Sequence, residues 1–177
     1  RGFTTLSERM EPKQLTAFLN VYLGEMTDVI VQDTKGTLDK YIGDAIMAFW
    51  GAPIKLENHA LSACMAAIKM VETLNQNKPK YLKDFGIEVD AGIGINSGAV
   101  SVGNMGSEKN FNYTVIGDHV NLASRLEGLT KTYGASIVTS RFTLDAIAST
   151  GANLPTHRVL DDVKVKERIN QLNSHKS

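Results

Sequence analysis

Past Pro12, apolar side chains return every third or fourth position, at Leu15, Phe18, Leu19, Tyr22, Leu23, Met26 and Ile30. That spacing places them on one face of a helix of about five turns, with Pro12 at a first helical position where its missing N–H costs nothing. After Lys35-Gly36 the pattern changes to two short runs, 37–42 and 45–50, which read as strands of a hairpin around Gly43-Asp44; Gly51-Ala52-Pro53 ends it. Helical spacing resumes over 58–75 through Ala60, Leu61, Cys64, Ala67, Ile68 and Val71, and the polar stretch 75–80 is expected to stop it. A second strand pair is expected from 87–96 and 99–103 about a Ser97-Gly98 turn, followed by a polar loop over 103–112 and a short strand at 113–116. A third helix, 118–133, carries Val120, Ala123, Leu126 and Leu129 and stops at Gly134. An apolar segment at 136–138, a small helix at 141–147 and a last strand at 158–165 complete the order. Long helices separated by antiparallel pairs predict an α+β sandwich with helices packed on one sheet.

Composition narrows the function classes. The 177 residues suffice for one domain with a core that needs neither disulfides nor a structural metal. Nineteen Lys and Arg balance nineteen Asp and Glu, so the chain lacks the basic footprint of sequence-independent nucleic-acid binding. An RNA-binding module with the same element order would need exposed aromatics on a basic face, whereas Phe49 and Trp50 adjoin Asp44 with no basic cluster. No apolar run approaches the roughly 20 residues that span a bilayer. The single Cys64 falls in a helical pattern and reads as a small core residue in a reducing compartment. Because the chain opens at Arg1 in mid-pattern, the expectation is a cytoplasmic domain cut from something longer, without membrane contact of its own even where the parent protein is membrane-anchored.

Two places could carry chemistry. A carboxylate at a tight hairpin tip, as at Asp44, is either an ordinary Gly-Asp turn or a rigid mount facing a hard cation such as Mg²⁺. Asn121 and Arg125 lie four apart on one helix face, where they form either a solvated stripe or a phosphate-directed pair. His59, His119, His157 and His175 are scattered without ligand spacing and read as surface or local-packing residues.

The stretches RGFTTLSE, DKYIGDAIMAFWGAP, GIGINSGAVSVGNMGS and YTVIGDHVNLASRLEG together resemble the catalytic domain of class III nucleotidyl cyclases, most closely the bacterial adenylate cyclases. They occur in that family's order and spacing. The resemblance runs over about 1–166, taken as the catalytic domain, and leaves 167–177 as a polar tail, helical or frayed. It implies a ferredoxin-like α+β sandwich, mainly antiparallel, working as a head-to-tail homodimer with each active site shared between two chains. It further implies two Mg²⁺ or Mn²⁺ ions per site held by two aspartates. Asp44 matches the second, and the first would stand two residues before the Arg-Gly-Phe-Thr stretch, ahead of Arg1. Asn121 matches the residue that orients the ribose, and Arg125 the one that stabilises phosphate charge in the transition state.

The implied reaction is attack of the ribose 3′-hydroxyl on the α-phosphate of ATP, giving cyclic AMP and pyrophosphate. Lys40 and Thr114 match the two base-reading positions: a lysine donor suits adenine N1, and a threonine oxygen can accept from N6. Guanylate-specific members typically place an acid at the first of these, so Lys40 argues for ATP. A guanylate cyclase, or a catalytically silent cyclase-like domain that dimerises or binds nucleotide, is the alternative. The tail departs from the family pattern: after Lys166 the usual Gly-Lys is replaced by Glu167-Arg168, which puts Arg168 in place of a phosphate-binding lysine.

Overall fold

Helix α1 (Pro12–Asp28) starts where the periodicity predicts, and Leu15 N–H bonds back to the Glu11 carbonyl at 3.0 Å. In the computed structural model, which describes residues 7–8, 10–107 and 109–160, α1 runs on into one π-helical turn, Val29–Asp33. Its last carbonyls are not left open: the Thr34 hydroxyl donates to Ile30 at 2.8 Å and approaches Val29 at 3.1 Å. The chain then passes Gly36, where a Cβ would lie 2.6 Å from the Trp50 indole, so only glycine lets that ring close over the turn. Trp50 Nε1 donates to Thr34 Oγ1 at 3.2 Å.

The expected hairpin follows as β1 (Thr37–Ile42) and β2 (Ala45–Phe49), antiparallel, with Ile42 opposite Ala45. Helix α2 does not stop near residue 75. It spans His59–Phe85, with Pro79 inside it, and ends at Gly86 in the left-handed conformation (φ 70°). The polar run 75–80 looks like a terminator because it lies over the neighbouring carboxylate of Glu25 on α1. Asn77 Nδ2 donates to Glu25 at 2.9 Å, Lys80 Nζ at 3.1 Å, and the Tyr81 hydroxyl also donates to it. An internal proline costs about 3 kcal/mol. Burying Leu74 and Tyr81 returns about 1.5–3 kcal/mol each, so the helix continues.

Two apolar clusters share α2 as their spine. Phe18, Met26, Leu74, Tyr81 and Ile87 pack between α1 and the C-terminal half of α2; Ala60, Cys64, Ala67, Ile95 and Ile147 pack at its N-terminal half. Cys64 is thus a core residue, and burial pushes its thiol up from the ordinary range.

The second strand pair differs from expectation. Only β3 (Ile93–Ile95) is a strand in the segment 87–96, and it pairs in parallel with β6 (Ile137–Thr139). The antiparallel partner of β4 (Ser101–Ser107) is β5 (Asn110–Ile116), so the expected polar loop is the tip of a hairpin. Both strands are largely exposed at that end, and without a buried face they lack the apolar alternation that marks a strand. The Ser97-Gly98 pair serves packing instead: a Cβ on Gly98 would lie 2.2 Å from the ring of His119. Helix α3 (Asp118–Thr132) and helix α4 (Arg141–Ser149) fall close to their expected positions, and Gly134 has φ 60°. Residues 158–160 carry no regular structure; the rest of the expected last strand, and the tail 167–177, lie outside the described residues. No described helix is long and apolar enough to cross a membrane.

Candidate active site

The β1–β2 turn contains just Gly43 and Asp44, and Gly43 supplies the positive φ (63°) that a two-residue turn demands at its first position. Asp44 is half-buried at the tip and has no hydrogen bond or ion pair among the described residues. A turn aspartate would ordinarily bond nearby backbone N–H groups. Here the carboxylate is committed to no partner among the described residues, and α1 lies beside it. The Tyr22 phenol is held above its ordinary range by burial first and by the Asp44 charge second. Tyr41, on the same hairpin, meets Thr27 of α1 through their hydroxyls at 2.8 Å.

Five residues before Asp44, a bulge in β1 changes what the strand presents. Leu38 lies opposite Ala48 and Lys40 opposite Met47, which leaves Asp39 as an extra residue outside the ladder. Its side chain is 0% exposed and reaches β5, where Oδ2 accepts from Thr114 Oγ1 at 2.6 Å and from Val115 N–H at 3.2 Å. Asp39 Oδ1 is buried without a hydrogen-bond partner; the half-exposed Lys40 ammonium stands 3.3 Å from it, in ion-pair range but not aligned for a hydrogen bond. One carboxylate therefore joins Lys40 and Thr114, two candidates distant in sequence. Phe49 and Tyr113, ring centroids 6.2 Å apart, also pack the two hairpins together. Sequence reasoning missed Asp39. The available signal was an acid beside a lysine inside a strand, a position where Asp is disfavoured.

Asn121 and Arg125 sit on α3, both exposed and four residues apart. What places α3 is a pair of glycines. A Cβ on Gly94 of β3 would lie 2.2 Å from the Ala123 carbonyl oxygen and 2.3 Å from Glu127 N, and one on Gly92 would lie 2.3 Å from Thr130 Oγ1. The helix backbone therefore rests directly on β3. Its N-terminal end is fixed by Asn96, whose Nδ2 donates to the His119 carbonyl at 2.9 Å, while Ser140 Oγ donates to Asn96 Oδ1 at 2.5 Å. His119 packs edge-on against Phe142 with centroids 5.6 Å apart, which is local packing, as expected.

The site residues thus form two groups. Asp39, Lys40, Asp44 and Thr114 belong to the facing hairpins; Asn121 and Arg125 project from α3. No hydrogen bond or ion pair among the described residues joins the groups. Arg168 lies outside the described residues. Among those residues no three His, Cys, Asp or Glu side chains cluster as a ready-made metal cage. The carboxylate of Asp44, without a hydrogen bond or ion pair among the described residues, suits a hard cation that takes its remaining oxygens from phosphate and water.

A family model described as Adenylate and Guanylate cyclase catalytic domain matches residues 1–172. An adenylate cyclase of Anabaena cylindrica is 42% identical over 142 residues, covering 78% of this chain and 27% of that protein. The crystal structure of the guanylyl cyclase Cya2 is 38% identical, with a TM-score of 0.75 over 83% of this chain and 73% of that one. The crystal structure of the adenylyl cyclase CyaB from P. aeruginosa is 36% identical, with a TM-score of 0.76 over 84% and 76%. The chain spans 8% to 27% of the length of three adenylate cyclases that match 78% to 98% of it.

Proposed function

The chain belongs to the adenylate and guanylate cyclase catalytic-domain family and has its α+β fold, and from that premise we propose that it converts ATP to cyclic AMP and pyrophosphate. The observation that carries the choice of ATP is the joining of Lys40 to Thr114 through Asp39. An ammonium donor and a hydroxyl acceptor match the N1 acceptor and N6 donor of adenine. Guanine presents the reverse, and a mispaired buried polar group costs about 1–3 kcal/mol.

In this reading Asp44 would hold Mg²⁺ or Mn²⁺ through its carboxylate. The bound ions supply Lewis-acid activation of the ribose hydroxyl and charge neutralisation on the leaving pyrophosphate. Lys40 and Thr114 fix the base, so that the ribose is presented in one orientation. Asn121 holds the ribose with its 3′-oxygen directed at the α-phosphorus. Arg125 stabilises charge accumulating on the phosphate oxygens as the bond to pyrophosphate breaks. Asn121 and Arg125 are joined to the hairpin group by no hydrogen bond or ion pair among the described residues, and the reading takes the site as shared in a homodimer, the hairpins from one chain and α3 from the other. Arg168 is assigned to the phosphates on sequence alone.

A guanylate cyclase is the second reading, favoured by the 38% identity to Cya2. Cyclic AMP and cyclic GMP formation by the polypeptide that contains this chain, measured side by side with Mg²⁺, with Mn²⁺ and with chelator, separates the two. The expected result is metal-dependent cyclic AMP in excess. Preferential turnover of GTP refutes the assignment of Lys40, and no product from either nucleotide favours a silent domain.

A further inference from the structure

We propose that Asp39 is the positioning residue that sets the base preference, by committing the one hydroxyl proton of Thr114 and so leaving Thr114 able only to accept. This deepens the function proposed above and rests on it. A threonine hydroxyl is by itself an ambiguous reader, because it can donate one hydrogen bond and also accept. Facing a free threonine, the amino group of adenine and the carbonyl of guanine are both satisfied, the second by rotation of the hydroxyl.

The bulge in β1 removes that freedom. Asp39 Oδ2 cannot donate to Thr114 while it takes the Val115 N–H at 3.2 Å as a carboxylate, so at 2.6 Å the Thr114 hydroxyl is the donor. With its proton held, Thr114 Oγ1 offers lone pairs alone, and these match an exocyclic amine and oppose a carbonyl oxygen. The other oxygen acts on the second reader. Asp39 Oδ1, buried and without a hydrogen-bond partner, faces the Lys40 ammonium at 3.3 Å and holds that cation beside Thr114. A carboxylate with a 0% exposed side chain would otherwise be costly there, and as a mere strut between hairpins it could be replaced by a neutral group without touching selectivity.

The test measures kcat/KM for ATP and for GTP, together with competitive binding of 3′-deoxy-ATP and 3′-deoxy-GTP, which cannot cyclise. The proteins are the wild type, Asp39→Ala, Asp39→Asn, Thr114→Val, and Asp39→Ala combined with Thr114→Val. Asp39→Ala is expected to lower the ATP-over-GTP ratio about tenfold, the scale of one mispaired polar group. Asp39→Asn keeps the shape and guards against a variant that fails to fold. Either orientation of its amide puts a donor where the wild type has an acceptor: against Thr114 it frees the hydroxyl proton for a base carbonyl, against Lys40 it opposes the ammonium. Its ratio is expected to fall at least about threefold in turnover and in binding. In the Thr114→Val background, Asp39→Ala should change the ratio less than it does alone, because the hydroxyl it acts through is gone. If the wild type prefers ATP and both Asp39 variants keep its ratio within about twofold, the proposal fails while the adenylate cyclase reading stands. An equal fall with and without the Thr114 hydroxyl also overturns it. A wild type that prefers GTP, or turns over neither nucleotide, overturns the reading and the proposal with it.

Discussion

Replacing Gly94 by alanine tests whether the placement of α3 on β3 governs the site. The added Cβ would stand 2.2 Å from the Ala123 carbonyl oxygen, 2.3 Å from Glu127 N and 2.9 Å from Glu127 Cα. A carbon and a carbonyl oxygen rest at about 3.3–3.6 Å, so the helix must retreat by roughly 1 Å. All three neighbours are backbone, and no side-chain rotation relieves them. Overpacking of this kind costs about 1–3 kcal/mol. At about 2–4 °C per kcal/mol for a chain of this size, Tm should fall by about 2–12 °C. Asn121 and Arg125 travel with the helix, and a displacement of about 1 Å at positioned groups can cost about 100-fold in rate. Gly128→Ala on the same helix is the control: nothing lies within 4 Å of its Cβ, so better helix propensity should raise stability by about 0.5–1 kcal/mol. Calorimetry gives the Tm values, and initial rates of cyclic nucleotide formation are taken well below them. A Gly94→Ala protein with unchanged Tm and rate within about twofold would refute the close-approach argument.

Two further outcomes follow from the geometry. Asp44→Ala and Arg125→Ala should each abolish cyclisation alone, yet a mixture of the two should recover activity, because a mixed dimer has one site with both residues intact; failure after confirmed subunit exchange would count against the shared site. Tyr81 tests the junction of α1 and α2. Burial first, and the Glu25 carboxylate next, hold its phenol above the ordinary 10.0. The folded chain keeps a proton that the unfolded chain releases, so this stabilisation is present below pH 10 and is lost as pH rises above it. Tyr81→Phe should cost about 1–2 kcal/mol at neutral pH, by removing one donor to Glu25, and should flatten the decline in urea midpoint above pH 10. Identical slopes in the two proteins would contradict that account.

Helices were legible where their apolar stripe was long. Phe18 and Met26 on α1, Ile30 in the π-helical turn that follows it, and Leu126 on α3 are buried as their spacing predicts. The end of α2 was not legible, because its polar run 75–80 answers to Glu25, a residue on another helix. The pairing of β3 with β6 was hidden for a related reason: Ile93 meets Ile137 across a crossover, and local turn residues such as Ser97-Gly98 carry no information about so distant a partner. Lys40 and Thr114 were singled out from the family motif, whereas Asp39, next to Lys40, went unnoticed, since a bulge changes the facing of a residue without changing its spacing along the chain.

By itself the sequence determined the helical faces, the β1–β2 hairpin with Asp44 at its tip, and the family whose motifs it carries, because periodicity and turn chemistry are local properties. Only the tertiary structure decided that Asp39 ties Lys40 to Thr114 and that Gly94 lets α3 rest on β3. Those are contacts between segments far apart in the chain, fixed by packing and by burial of unpaired polar atoms, and no short window of residues encodes them.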